Sequence, residues 1–248
     1  MSTQPALDDF MQYVDGESKL VPHNMGKYKD DVEVIVSLWH YMNTPKWIEL
    51  TKQEAALFAS YKTQVDKSVY LAIVSILRQH YAQAISQLRY CAENICISMY
   101  SLFQPMQAFY IIKGNASIEE RKRQQDKLKG AAYTWLEKNY PDFSKRIKEL
   151  KDGVLNHFGT HANFALLGNN VKIGNQFTVN IFDEEVDQFS LGTLMIAGDL
   201  MIEYIKLIIS LDGTNGIKLD SKSSAKLEEA IKEFERIKTK NKSLWFPT

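Results

Sequence analysis

The chain has few of the features that mark secreted proteins. It contains only two cysteines, Cys91 and Cys96, among 248 residues. A spacing of five turns them to different sides of a helix, so we expect two reduced thiols in the core rather than a disulfide. Residues 1–10 hold two aspartates and no apolar run, which predicts no signal peptide. Together these features predict a cytoplasmic protein.

No apolar run is long enough and free enough of charge to predict a membrane span. The most apolar stretch, residues 189–211, is interrupted by Asp199, Glu203 and Lys206. Charges in lipid are costly, whereas on one exposed face of a water-soluble helix they cost little. We therefore predict that these three residues lie on an exposed face and that the protein has no membrane partner.

Charge of either sign is not in excess, because 30 lysines and arginines balance 30 acidic residues. No overall field therefore attracts the chain to nucleic acid or anionic lipid, and such a partner would have to bind a local patch. Walker loops, dinucleotide glycine fingerprints, nucleophile elbows and CxxC pairs are also absent. We expect no cofactor.

Prolines number six and lie toward the ends of segments, while apolar residues recur at helical spacing. This predicts an all-α helical bundle of long helices. One exception is residues 169–182, where apolar residues alternate around Gly174-Asn175, which predicts a small β-hairpin insertion. We divide the chain into an N-terminal helical segment packed on the bundle, a bundle core and a charged C-terminal helix, at residues 1–43, 44–212 and 213–248.

In the first half, the pattern predicts helices at residues 5–14 and 28–42, separated by a loop around Pro22 and Gly26. Thr44-Pro45 has the order of a helix start and predicts a third helix there. Residues 47–103 contain no proline or glycine and must form at least two helices, with a bend near Asp66 or His80.

In the second half, Ser117 and Glu120 form a capping-box pattern that opens a helix to about residue 139, where Pro141 stops it. Ser144 is the predicted cap of the next helix, which should reach residue 158. Asp183 should cap a mostly buried helix that ends near residue 211. A charged helix is expected at residues 221–240.

Two stretches carry candidate functional residues. Arg89 and Glu93 are neighbours on one helix face among apolar residues, where they either form an internal ion pair or leave Arg89 to bind an anion such as phosphate. His157 is close to a predicted helix end, and His161 follows in the next turn. The alternatives for His157 are a structural hydrogen bond or acid/base chemistry. Gly159 breaks the helical spacing that a two-histidine metal site would need, so no metal is predicted.

The segment leading to His157 is locally basic. Residues 113–151 contain eleven lysines and arginines, among them Arg146, against six acidic residues. The alternatives are a solvated helix face with internal ion pairs or a surface that contacts RNA or nucleotide phosphates.

The stretch 88–93 (LRYCAE), followed by residues 150–157, resembles prokaryotic helical proteins similar to the HEPN (higher-eukaryote and prokaryote nucleotide-binding) superfamily. These are helical bundles, commonly dimeric, and many are metal-independent ribonucleases in toxin and phage-defence systems. Their hallmark is an arginine followed after four to six residues by a histidine. The match here is Lys151 to His157, with lysine in place of arginine and Asn156 before the histidine.

The resemblance implies a metal-independent endoribonuclease whose active site is completed across a homodimer. His157 would be the acid/base on the RNA 2′-hydroxyl or leaving oxygen, and Lys151 would stabilise the charge of the phosphorane. Arg89, Glu93, Asn156, His161 and Arg146 are the candidate binding residues. A dimer would use the small residues Gly192, Ala197 and Gly198 for close packing. The alternative is a non-enzymatic interaction protein, with a buried network of Arg89, Glu93 and His157, that binds a protein partner through residues 189–211 and the hairpin.

Overall fold

Long helices with apolar faces build the fold, as the helical spacing of its apolar residues predicts. A computed structural model describes residues 4–43, 48–50, 56–104, 116–156, 171–173, 177–179, 187–213, 217–219 and 221–242. These residues form eight α-helices, one π-helical turn and four short strands: α1 (Gln4–Lys27), α2 (Lys29–Asn43), β1 (Ile48–Leu50), α3 (Ala56–Leu77), α4 (Tyr81–Phe103), α5 (Ile118–Asn139), α6 (Pro141–Leu150), the π turn (Lys151–Leu155), β2 (Val171–Ile173), β3 (Phe177–Val179), α7 (Asp187–Ile209), β4 (Ile217–Leu219) and α8 (Ser221–Lys240). The prediction of an all-α bundle is confirmed.

The bend expected near His80 is the junction of α3 and α4. Gln79 has a φ of 58°, the left-handed conformation that commonly ends a helix. Its amide donates to the carbonyl of Ile76, and the His80 amide donates to that of Ser75. Asp66, the other proposed bend position, lies inside α3.

The predicted loop around Pro22 and Gly26 is wrong, because α1 continues through both residues to Lys27. A tertiary contact accompanies this continuation. The buried Asn24 donates from Nδ2 to the carbonyl of Leu77, 2.9 Å away, and so ties the end of α1 to the end of α3. The chain leaves helical geometry only at Tyr28 before α2 begins.

The third helix does not start at Thr44-Pro45. Residues 44–47 are outside the described part of the chain, and residues 48–50 form β1, which pairs antiparallel with β4. Ile48 is opposite Leu219 and Leu50 is opposite Ile217. The pairing joins residues about 170 positions apart in sequence, a contact that local pattern does not reveal. The next described helix, α3, has Ala56 as its first residue.

The predicted hairpin is present, with β2 and β3 paired antiparallel and Val171 opposite Val179. The capping box is also confirmed: the Ser117 hydroxyl accepts from the Glu120 amide, and a Glu120 carboxylate oxygen accepts from the Ser117 amide. Ser144 as a cap is wrong. Pro141 is itself the first residue of α6, a position that suits proline, and Ser144 is buried within the helix.

Helix α7 forms the centre of the bundle and contacts α2, α3, α4, α6 and α8. Seventeen of its residues are buried, so the prediction that Asp199 is exposed beside Glu203 and Lys206 is wrong: Asp199 is 4% exposed. The proposals that α7 binds a protein partner, or a second copy through Gly192, Ala197 and Gly198, are wrong for the same reason. Its apolar surface is already covered by the chain's own helices.

None of the described helices combines the length and apolarity that crossing a bilayer requires. α8 matches the predicted range, and its apolar residues Leu227, Phe234 and Ile237 are buried. Asp183, the predicted cap of α7, is outside the described residues. The division of the chain at residues 43 and 212 stays a prediction.

We predict that Gly198→Ala destabilises the protein. A Cβ at this position would come within 2.0 Å of the Phe234 ring on α8 and 2.8 Å of Ile35 Cδ1 on α2. Overpacking of this kind costs about 1–3 kcal/mol. The control is Gly130→Ala at an exposed position of α5, where a Cβ meets nothing within 4 Å. This substitution should stabilise the protein by up to about 1 kcal/mol, because alanine favours helix more than glycine does. Urea unfolding of both variants measures the difference, and equal stabilities would contradict the prediction.

Candidate functional site

Arg89 and Glu93 lie one turn apart on α4, as their spacing predicts. Glu93 is 8% exposed, and its Oε1 is 3.7 Å from Arg89 Nε. The closer partner is Lys129 of α5, whose Nζ is 2.6 Å from Glu93 Oε2. The carboxylate therefore joins α4 to α5 with two cations around it. This geometry favours the structural interpretation of the Arg89–Glu93 pair over a free anion-binding arginine.

Lys151 lies where α6 changes into the π turn. The Asn156 amide donates to the Lys151 carbonyl, five residues back, so this turn is wider than an α-helical one. Lys151 Nζ lies over the ring of Tyr133 on α5, 4.5 Å from its centroid. This distance is typical of a cation–π interaction. Widened turns of this kind are frequent at functional sites.

Tyr133 lies between α4 and the π turn. Its hydroxyl is buried and, within the described parts of the chain, has no hydrogen-bond partner of good geometry, although the thiol of Cys96 is beside it. Burial is the main cause that raises the pKa of Tyr133 well above its usual range, with Cys96, Glu93 and Asp152 adding to it. Burial also raises the pKa of Cys96 to about 12. Both groups are therefore protonated at neutral pH.

Both cysteines are free and buried, as the sequence predicts. Thiols with pKa values raised by burial do not form the thiolate that a nucleophile or a metal ligand needs. Among the described residues, no three histidine, cysteine, aspartate or glutamate side chains form a group that could hold a metal ion.

Asn156 closes the π turn and donates from Nδ2 to Asp152 Oδ1, 2.8 Å away. This contact fixes the last described residues before the predicted histidines. His157 and His161 themselves are outside the described residues, so their roles stay predictions.

Arg146 belongs to a second cluster. Its guanidinium is 3.3 Å from Asp199 of α7 and 3.5 Å from Glu149. Lys238 of α8 approaches Asp199 from the other side, with Nζ 2.6 Å from Oδ1. Arg146 therefore holds α6 against the core with its charge already neutralised.

The structure thus brings two of the predicted residues into one neighbourhood. Glu93 and Lys151 both lie around Tyr133, whereas Arg146 contacts α7 and α8 instead. An open groove of about 530 Å³ runs along α6 and reaches Asp152. Its lining carries two lysines, Lys145 and Lys148, and three carboxylates, and Lys148 is paired with Glu137 at 3.1 Å. The groove itself has no excess of positive charge.

Sequence reasoning missed Lys129, Tyr133, Asp199 and Lys238, each of which completes a contact of a predicted residue. The sequence did contain a signal for Asp199. An acidic residue in the middle of an apolar helix needs a cation nearby if that helix is buried in the core of the bundle. Lys129 and Tyr133 lie on α5 and Lys238 lies on α8, away from the residues they contact, and only the three-dimensional packing shows which groups they meet.

Asp66 of α3 is a further buried carboxylate, and the sequence pattern did not predict that it lies in the core. Its Oδ2 is 2.7 Å from Lys62 Nζ, and its Oδ1 has no hydrogen-bond partner within the described ranges. Burial raises the pKa of Asp66 even though Lys62 acts to lower it.

In comparisons with protein-family models, with curated proteins and with solved structures, nothing matches this chain. The HEPN-like resemblance therefore stays a prediction.

We predict that Lys129→Ala destabilises the protein more than Arg89→Ala does. Lys129 is the closer partner of the buried Glu93, at 2.6 Å against 3.7 Å, and its loss leaves that carboxylate with one distant cation. We expect a cost of about 1–3 kcal/mol for Lys129→Ala and about 0.5 kcal/mol for the more exposed Arg89→Ala. Urea unfolding at neutral pH gives both values. The reverse order would make Arg89 the main structural partner.

We predict that Asp66 makes the protein relatively more stable in acid. Because the folded-state pKa lies above the ordinary value of 3.8, the folded chain holds this proton more tightly than the unfolded chain does. The free energy of unfolding of the wild type, minus that of Asp66→Asn, should be largest below pH 3.8 and fall as the pH rises through the raised pKa. Urea unfolding at a series of pH values measures this difference.

Asp187 supplies a control of opposite sign. Hydrogen bonds from Lys27 and Tyr28 lower the pKa of its carboxyl group. Its contribution is therefore present above pH 3.8 and lost as the pH falls through the lowered value. Asp187 is half exposed, so the effect is only a few tenths of a kcal/mol. If Asp66→Asn and Asp187→Asn changed the pH dependence in the same direction, the assignment for Asp66 would be wrong.

Proposed function

We propose that this protein is a cytoplasmic, HEPN-like RNA-binding protein in which Lys151 contacts the RNA phosphate. The observation that carries the proposal is the placement of Lys151 on the Tyr133 ring, in the turn that leads directly to Asn156 and His157. No carboxylate in the described part of the chain forms an ion pair with Lys151, so none of those residues neutralises its positive charge. Phosphate contacts of this kind supply most non-specific affinity for RNA.

Local composition supports the proposal. Residues 116–156 hold ten lysines and arginines against seven acidic residues, and most of the charged side chains of α5 are exposed. The excess is small, which fits a local contact rather than a surface that binds RNA along its whole length.

The proposed chemistry is metal-independent RNA cleavage. His157 would act as acid/base on the 2′-hydroxyl or the leaving oxygen, and Lys151 would stabilise charge on the phosphorane. A lysine acts there as a point charge without the two-pronged geometry of arginine. A homodimer remains part of the proposal, but because α7 is buried within the chain, the second copy would have to bind another face.

The second candidate is a non-enzymatic interaction protein. The observation that favours it is the enclosed Glu93, which already has Lys129 and Arg89 as partners and leaves no free anion site on α4. In that case the residues after the π turn only complete a structural network. Its partner surface would be the hairpin or another exposed face, since α7 is covered.

A cleavage assay on single-stranded RNA with a chelator present separates the two candidates. If the enzyme proposal holds, the wild type cleaves and His157→Ala reduces the rate by about 10²-fold or more, while His161→Ala stays within about twofold. If the wild type does not cleave and His157→Ala only lowers the melting temperature, the second candidate is favoured.

RNA binding at several salt concentrations tests the role of Lys151 separately. Lys151→Ala should weaken binding and reduce the slope of log affinity against log salt by about one phosphate contact. Lys145 is an exposed lysine on α6, and Lys145→Ala removes one positive charge in the same way. This control variant should have little effect on RNA affinity or on its salt dependence. Equal losses in both variants would mean that general basic charge, not Lys151, binds the RNA.

A further inference from the structure

Tyr133 holds Lys151 with the face of its ring rather than with a charge. The ammonium lies 4.5 Å from the ring centroid, where the electron-rich face attracts a cation. An ion pair would neutralise that charge, whereas a cation–π contact leaves it intact. A lysine held in this way is fixed in position and still able to bind an anion.

The acidic groups around Tyr133 are already occupied. Glu93 forms ion pairs with Lys129 and Arg89, and Asp152 accepts a hydrogen bond from the side-chain amide of Asn156. Neither carboxylate is within ion-pair distance of Lys151 in the described part of the chain. The aromatic ring is therefore the contact that directs this ammonium.

Neighbouring groups hold both residues of the contact, the Tyr133 ring and the Lys151 backbone. The Tyr133 hydroxyl is buried beside Cys96, so the ring is fixed against α4. The Lys151 backbone is fixed by its carbonyl, which accepts the Asn156 amide, and by its amide, which donates to the carbonyls of Ile147 and Lys148. The ring contact then orders the ammonium at the end of the side chain, so a ligand that binds it has less freedom to remove, which favours binding.

We propose that Tyr133 is the positioning residue for Lys151, and that its ring holds the ammonium ready for a phosphodiester oxygen of the bound RNA. The role for RNA rests on the proposed function; the placement of Lys151 by the ring does not. Only the ring is required. The hydroxyl packs against α4 and takes no part in the contact with Lys151.

Three variants test the placement. Tyr133→Phe keeps the ring and removes the hydroxyl, Tyr133→Leu removes the ring, and Trp135→Leu removes another half-buried ring from the same helix. Lysines are labelled by reductive methylation with carbon-13, and the Lys151 signal is identified by its absence in Lys151→Arg. Methyl groups above a ring face are shifted upfield. We expect this shift in the wild type, Tyr133→Phe and Trp135→Leu, and its loss in Tyr133→Leu.

RNA affinity tests the consequence. Tyr133→Leu should weaken binding by about two- to fivefold, the equivalent of one exposed cation–π contact, and Tyr133→Phe should restore wild-type affinity. In the Lys151→Ala background, Tyr133→Leu should have no further effect, because the ring acts through Lys151. Trp135→Leu controls for the general loss of an aromatic side chain from α5.

The outcomes are separable. If the Lys151 signal is unchanged in a folded Tyr133→Leu protein, the placement is overturned, whatever the RNA result. If that signal moves as expected but the wild type binds no RNA, the proposed function fails and the placement stands. If Tyr133→Leu weakens RNA binding as much without Lys151 as with it, Tyr133 does not act through Lys151 and the positioning role is overturned.

Discussion

The carboxylate of Asp199 is the constraint on which much of the bundle depends. Helix α7 is buried around most of its circumference, and a charge in such a position is costly unless cations meet it. Arg146 of α6 and Lys238 of α8 supply them. Even so, burial outweighs the two cations and raises the pKa of Asp199. One buried carboxylate thus joins two peripheral helices to the core.

The position of α6 determines where Lys151 lies. Arg146 holds α6 on α7, and the π turn continues from the same helix five residues later. The second buried carboxylate, Glu93, ties α5 to α4 through Lys129, and Tyr133 is one turn beyond Lys129 on α5. The two ion-pair clusters therefore join α5 to α4 and α6 to α7, and Lys148 and Glu137 join α6 to α5. The contact between Tyr133 and Lys151 forms where these two fixed helices come together.

Sequence pattern predicted the parts of this fold that local chemistry decides. The capping box at Ser117, the range of α8 and the break at His80, one of the two positions proposed for it, depend on neighbouring residues, and all three are confirmed. Pro22 and Asp199 show the limit. Pro22 lies inside a continuous helix whose end is tied to α3 by Asn24, and Asp199 is buried because α6 and α8 bring cations to it. In the candidate site, Arg89 and Glu93 were found from spacing and Lys151 from the HEPN-like resemblance, but Lys129 and Tyr133 belong to another helix and have no sequence signal of their own.

The cations of the candidate site differ in the groups that they contact. Arg89, Arg146, Lys129 and Lys238 each meet a buried carboxylate; the Arg89 contact lies within α4, and the other three join separate helices. A ligand that bound one of them would have to compete with that carboxylate, which would keep only one of its two cations. Lys151 meets an aromatic ring instead, and a phosphate could bind it without breaking any ion pair in the described part of the chain. Among these five cations, Lys151 is therefore the one that the fold leaves best able to bind the phosphate of the proposed RNA ligand.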